Sequence, residues 1–418
     1  MKLSTQVIHI ILEKKEMIAQ SILNELSKIE RAGNIILRWG LIKLEEMDVF
    51  LEVATIHGVH ENCKNLVETN TTNPHCNGVH VALVVPTGVG ASIGGFIGDA
   101  GPVARALETV ADTVIVHPNV VNAADFYSGG SKCLYVDGLT LDLFFNGRVR
   151  LDTPRNNRIG LILDNFDSST ESLLLNVANG MRAVNGIDIC SYVVCKEKVQ
   201  VQISQSEFGH FLGEIVNADV LLDAAEILQK QRVNSIAVVT AIGGIKSEDL
   251  ACHYMGLGPN PIGSTEALIS RAITWKTGLP CAHAPAFIEG LGNSLKVVDP
   301  RAAAEVSSRS GLPCLFYGLK QSPKIVQNGG IGVCDLSTII VPFECAGGPS
   351  TLLSQQFCIP LLAVKSNKCI VGARADLLNL PMLTVVENYA EAIAFVACQK
   401  AKVTWESINR PLRHIQKV

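Results

Sequence analysis

Apolar positions in the first 56 residues fall into a strand, a helix and two further strands. Gln6–Leu12 is rich in β-branched residues. Glu16–Ile29 carries Ile18, Ile22, Leu23, Leu26 and Ile29 at helical spacing, the pattern of an amphipathic helix. Asn34–Leu44 and Asp48–Ile56 read as strands, so residues 1–56 are expected to form a small α/β unit of order β-α-β-β. Residues 57–79 are polar and rich in Asn, Thr and His, as a linker is.

From His80 onward strands and helices alternate. Strands are expected at Val81–Val85, Thr113–Val116, Arg158–Leu163, Ser235–Thr240, Pro280–Ala284, Cys314–Tyr317, Ser337–Val341, Pro360–Val364 and Met382–Val386. Helices are expected at Ala104–Ala111, Thr170–Val184, Val220–Gln231, Glu266–Thr277, Ala302–Ser310, near Leu352, and at Tyr389–Lys400. Such alternation predicts an α/β fold, a mostly parallel sheet with helices on both faces. The main domain would run over 80–403, in two lobes cut at 240/241 if the halves are related, with 404–418 as a tail. The hint of related halves is an echo between LVVPTGVGASIGG (83–95) and IIVPFECAGG (339–348). The echo is short, and chance explains it as well as duplication does.

The first of these segments is also the densest in glycine. Val81–Pro102 reads VALVVPTGVGASIGGFIGDAGP. A strand breaks at Pro86 and Thr87 into a loop with Gly88, Gly90, Gly94, Gly95 and Gly98; Asp99 is placed as an N-cap and Pro102 at a helix start. A strand, a glycine loop and a helix start form an anion site in many α/β proteins. The run matches neither the P-loop nor the dinucleotide fingerprint. It would equally suit a helix packed tightly on a strand.

Composition narrows the classes. Charged residues are 18% and apolar residues 48%, which suits buried parallel strands and a homo-oligomer interface. A net charge of −4 and 5% aromatics give no footprint for nucleic acid. Thr69–Gly98 and Cys345–Val364 lack charge but are broken by Gly, Pro, Asn or Ser, so no membrane partner is expected. Glu13, Lys14 and Lys15 interrupt any secretory signal in Met1–Gln20. Thirteen scattered cysteines without a CxxC pair argue against a disulfide framework and for a cytoplasmic protein.

Ligands bind beyond the C-terminal ends of parallel strands. The polar residues expected there are Thr87, His117, Asn119, Asp164, Cys281, His283, Glu344 and Cys345. Cys345 precedes Gly347, Gly348, Ser350 and Thr351, which places a thiol near a helix start, where its pKa falls, and next to backbone donors for an oxyanion. An inert buried cysteine is the competing reading. Cys281 and His283 share one strand face, so His283 would serve as a base and Cys281 as a second thiol. His117-Pro118-Asn119, with Asn122, would reach the ligand of the glycine loop, or form a plain turn. His57, His60, Cys63, His75, Cys76 and His80 are zinc-type ligands without finger spacing, and no metal site is assigned. No cofactor is identified.

Six blocks carry a resemblance: VVPTGVGASIGGFIGDAGPVA, IVHPNVVNAA, RIGLILD, PCAHAPA, IPLLAVKSN and VVENYAEA. Over residues 80–400 the chain resembles an uncharacterised domain-of-unknown-function family, the one numbered 3326. The resemblance implies one continuous α/β domain and no particular reaction. The residues themselves favour a cytoplasmic enzyme on a small anionic metabolite, with the glycine loop holding a carboxylate or phosphate. Cys345 would serve isomerase, lyase or C–N hydrolase chemistry. A metabolite-binding or regulatory protein is the alternative, and a phosphoribosyl or nucleotide transferase the third.

Overall fold

The computed structural model describes residues 1–14, 17–57, 77–122, 129–153, 156–286, 297–307, 311–412 and 414–415. The N-terminal unit follows the expected order: β1 (Lys2–Ile11), α1 (Ile18–Arg31), β2 (Ile35–Glu45) and β3 (Asp48–His57). Next come β4 (His80–Leu83), α2 (Gly101–Glu108), β5 (Thr113–Val116), α3 (Pro118–Val121), β6 (Cys133–Tyr135), α4 (Gly138–Phe145) and β7 (Arg150–Asp152). A middle stretch holds β8 (Ile159–Leu163), α5 (Ser168–Asn185), β9 (Ile189–Val194), β10 (Val201–Gln205), β11 (Phe211–Ile215), α6 (Asp219–Lys230), β12 (Ser235–Thr240), α7 (Ser247–Tyr254), α8 (Gly263–Thr277), β13 (Cys281–Pro285), α9 (Ala303–Ser307) and α10 (Leu312–Lys320). The chain closes with β14 (Lys324–Val326), β15 (Leu336–Pro342), α11 (Pro349–Leu352), β16 (Leu361–Val364), β17 (Leu383–Val386), α12 (Tyr389–Ala401) and the short helix α13 (Trp405–Ile408).

Two parallel sheets organise these elements, an α/β architecture with helices packed on the sheets. One has six strands, β17-β16-β15-β4-β5-β6; the other has four, β13-β12-β8-β9. Side chains alternate between cores: Val81 and Leu83 enter the one shared by both sheets, while Ala82 and Val84 enter a second. Burial on both faces is why these strands read as unbroken apolar runs.

The sheets divide the chain differently from a cut at 240/241. β15 pairs with β4 in parallel (Ile339↔Ala82, Ile340↔Leu83), so residues 80–152 and 324–401 build one lobe and 156–320 the other. The two echoing segments are therefore neighbours in one sheet, not opposed halves across a cleft. The N-terminal unit is not separate either. β11 pairs with β1 (Leu3↔Ile215), giving a five-stranded antiparallel sheet β10-β11-β1-β3-β2. Most of the expected linker, 58–76, lies outside the described residues, and so do His60, Cys63, His75 and Cys76.

Two local expectations are corrected. Cys314–Tyr317 belongs to helix α10, not to a strand: Leu312, Leu315, Phe316 and Leu319 are buried at spacings of three and four. A four-residue apolar window is too short to reveal that period. Asp99 does not cap α2, whose N-cap is Ala100. Asp137 and Asp167 are the residues that accept from the second and third amides of their helices, α4 and α5.

Candidate functional site

The C-terminal ends of β4, β5 and β15 meet α8 and the N-terminal sheet around a cavity of about 150 Å³. Eight of the expected residues line it: Thr87, His117, Asn119, His283, Cys345, Gly347, Gly348 and Ser350. Seven of them follow β4, β5 and β15, which the parallel register brings side by side, while His283 comes from β13 of the other parallel sheet.

The glycines of the 88–95 loop do not line it. Gly94 has φ +86, and a Cβ there would come within 2.9 Å of the Val85 side chain. A Cβ at Gly95 would lie 2.0 Å from the Ala91 carbonyl oxygen, and one at Gly90 2.7 Å from Ile370. At Gly88 it would face His210 at 3.2 Å. These glycines let the loop fold onto its own strand and onto neighbouring side chains. That is a packing requirement and not an anion cradle. Asp99 serves the same loop, its Oδ1 accepting from Gly94 N at 2.7 Å and Phe96 N at 3.3 Å. Burial raises its pKa to about 6 against those two bonds. Asn119, although it borders the cavity, donates its amide to the carbonyls of Val85, Pro86 and Gly94 at 3.0, 3.3 and 2.5 Å, clamping the loop. Thr351 is buried and bonds the Ala346 and Gly348 carbonyls.

Val85 N donates to Nε2 of His117 at 3.1 Å, so the ring carries its proton on Nδ1. Burial first, then Arg271 and Arg38, depress its pKa to about 3. Burial disfavours the charged ring, and with Nε2 accepting from Val85 N the neutral ring has Nδ1–H to donate.

Cys345 is joined to Cys369, a pairing that the scattered cysteine spacing does not signal. The segment around Cys369 is laid beside the cavity loops by Ile370 N to Val89 O (2.9 Å), Ser92 N to Lys368 O (2.8 Å) and Cys369 N to Glu344 Oε2 (2.8 Å). While the pair is closed Cys345 has no thiolate to offer. Cys281 is fully buried and does not line the cavity; burial pushes its thiol well above the usual value. Asp164 is also structural, accepting from Val199 N and Ala241 N. His57 is occupied by Ser4, Thr55 and Asn34. Among the described residues no cluster of His, Cys, Asp and Glu could hold a metal ion.

Several lining groups escape the sequence reading. Gly263, Glu266, Ala267, Ser270 and Arg271 form one face of α8, at spacings of three and one. Glu266 Oε1 meets His283 Nδ1 at 3.3 Å, and His283 Nε2 meets Thr240 Oγ1 at 2.9 Å. Burial raises the Glu266 pKa, with His283 opposing it. Arg271 Nη1 donates to Leu37 O at 2.7 Å and to Asp142 Oδ2 at 2.5 Å. From the N-terminal sheet, Arg38 pairs with Glu52 at 3.3 Å and donates to Thr87 O at 2.7 Å, while His210 contacts Glu52. A polar face on α8 is indistinguishable by pattern from a solvated one, and only the packing of β2 and α4 against it makes it a wall.

The model of the family described as protein of unknown function (DUF3326) matches residues 80–409. An uncharacterized lipoprotein of Synechococcus sp. is 33% identical over 330 residues, covering 76% of this chain and 90% of that protein. The structure of unliganded arylmalonate decarboxylase is similar at 12% identity, with a TM-score of 0.18, over 49% of this chain and 86% of that one. No helix among the described residues is long and apolar enough to cross a membrane.

Proposed function

We propose, for a chain that belongs to the DUF3326 family, that it is an enzyme moving a proton on a small anionic metabolite, in the isomerase or lyase class. The observation that carries this reading is the polar face of α8. It sets Glu266, tied to His283, in the same cavity as Arg271 and the neutral donor His117. A buried carboxyl with raised pKa is suited to act as a general base near neutral pH. His283 is held between Thr240 and Glu266; donating from Nδ1 and accepting at Nε2, it fixes Glu266 Oε1 and leaves Oε2 for a substrate proton. The His117 Nδ1–H would stabilise negative charge that develops on the substrate, and a dry, preorganised donor is worth most in that role. At about 150 Å³ the cavity suits an organic ion of a few carbons; ligand pockets for larger molecules run from roughly 300 Å³ upward.

The test is hydrogen exchange. Small organic acids and their phosphate esters are incubated with the protein in D2O, and loss of a carbon-bound proton is followed by NMR. Wild type should exchange at least one compound, and Glu266→Gln should slow that exchange by roughly 10²-fold or more. Exchange that survives Glu266→Gln refutes the assignment of the base.

A further inference from the structure

We propose that Arg271 is a carboxylate-binding residue, and that Gly138 is glycine to keep its guanidinium edge open. The inference rests on the reading above for the cavity and adds the substrate class. Arg271 is about nine-tenths buried. Its Nη1 is used up by Leu37 O and Asp142 Oδ2. These two bonds come from the N-terminal sheet and from α4, and they fix the plane of the guanidinium. Among the described residues Nε and Nη2 meet no protein acceptor, and Arg271 lines the cavity. Adjacent Nε–H and Nη2–H donors form the planar fork that matches the two oxygens of a carboxylate.

Gly138 supplies the second, independent observation. It lines the same cavity, and a Cβ on it would stand 2.7 Å from Nη2, 2.8 Å from Nε and 2.9 Å from Cζ of Arg271. Any side chain at 138 would therefore press on the guanidinium beside its unpartnered Nε and Nη2, at nearly equal distances from both and from Cζ. Gly138 carries no left-handed φ, so backbone conformation does not explain the glycine; room beside Arg271 does. Along α8, Arg271 is five residues beyond Glu266, a rise of about 7.5 Å. Glu266 lines the same cavity, so a carboxylate held at Arg271 shares it with the proposed base. The ligand class proposed is a small carboxylate, whose two oxygens the planar fork meets at once in a cavity of about 150 Å³; an arginine fork also accepts phosphate, so the two anions are compared directly.

The test is binding, read without turnover. Acetate, malonate and inorganic phosphate are titrated into the full chain, with the pair reduced and oxidised, by calorimetry and by line broadening of ¹³C-labelled carboxylate. A carboxylate should bind and phosphate should bind at least tenfold more weakly. Arg271→Lys keeps the charge and loses the fork, and should weaken carboxylate binding at least tenfold. Gly138→Ala, whose methyl must displace the guanidinium or the backbone, should do the same; thermal midpoints of both variants are measured alongside, and binding lost at a temperature where each is still folded separates lost binding from lost folding. Failure of any carboxylate to bind wild type overturns the proposal, as does phosphate binding equally well. So does carboxylate affinity unchanged in both variants. If the carboxylate binds through Arg271 but no proton ever exchanges, the anchor stands and the enzyme reading falls.

Discussion

Asp99 illustrates how one carboxyl can hold a loop and cost stability at once. Its Oδ1 organises the glycine loop through two amides, yet burial lifts its pKa from 3.8 to about 6. The folded chain then keeps the proton up to about pH 6, while the unfolded chain releases it near 3.8. The contribution to stability is complete below about pH 4 and is lost as the pH rises through 6. Asn at this position keeps the accepting oxygen and removes the charge. Asp99→Asn should therefore flatten the fall in unfolding free energy between pH 4 and 6. At pH 7.5 it should be the more stable protein by about 1–2 kcal/mol, the half-buried site being partly screened. Urea unfolding at a series of pH values measures this, and a variant that keeps the wild-type slope contradicts it. At the same scale, the cavity's histidines are sorted by single bonds. His117 is fixed as a donor by one amide, whereas His283 is held from both sides.

Between elements, the link from Cys345 to Cys369 fastens the turn after β15 to the turn after β16, 24 residues apart. The second of these turns also carries the glycine loop, through Ile370 and Val371 amides on Val89 O and Asn367 on Ile93. Three loops at one sheet edge are thus tied together, and all three border the cavity or brace what does. Closing a loop of that length stabilises by about 3 kcal/mol on chain-entropy grounds. Reduction by a dithiol should lower the unfolding free energy by up to that amount and make Cys345 open to alkylation. A Cys369→Ser variant should match the reduced wild type. Peptide mapping without reductant checks the pairing directly; both thiols alkylated in the native, unreduced protein would refute it.

Among the described residues, two parallel sheets carry the fold, with a five-stranded antiparallel sheet laid over their junction and a two-stranded pair, β14 and β7, beside the larger one. The five-stranded sheet takes strands from both ends of a long interval, β1–β3 and β10–β11, so it cannot be lifted off as a domain. It also buries Leu37 and Ile56 against one core and Trp39, Leu41 and Leu51 against another. Each such burial is worth roughly 1.5–3 kcal/mol, against a net stability of roughly 5–15 kcal/mol for a typical fold. A chain starting at residue 77 should therefore lose its cooperative thermal transition and bind a hydrophobic dye strongly. A truncated chain with a sharp transition and no dye binding would mean that the sheet is dispensable. The cavity gains Arg38 and Glu52 from this layer, although the family match begins only at residue 80.

Periodicity alone determined most of the elements. The strands at 81–85, 113–116, 235–240 and 360–364, and the helices at 170–184, 220–231 and 389–400, were legible because each is long or apolar enough to declare its period. The alternation of these elements in turn determined the α/β class. It also placed His117 and Cys345 just beyond strand ends, where parallel sheets collect ligands, and His283 on a strand near its C-terminal end. Sequence could not decide which strands are neighbours, because β4 and β15 are about 250 residues apart and pairing is a long-range choice. From that one choice follow the lobe division and the shared edge of the two echoing loops; the joining of Cys345 to Cys369 follows from the parallel pairing of β15 with β16. Nor could sequence separate the two uses of glycine: at 90, 94 and 95 it answers to packing inside the loop, and at 138 to an arginine 133 residues away. The polar face of α8 has a solvent-like pattern and becomes a cavity wall only because other elements stand opposite it. The pattern along a chain records which way a residue faces within its own element; what it faces is set by contacts distant in sequence, which only the folded structure supplies.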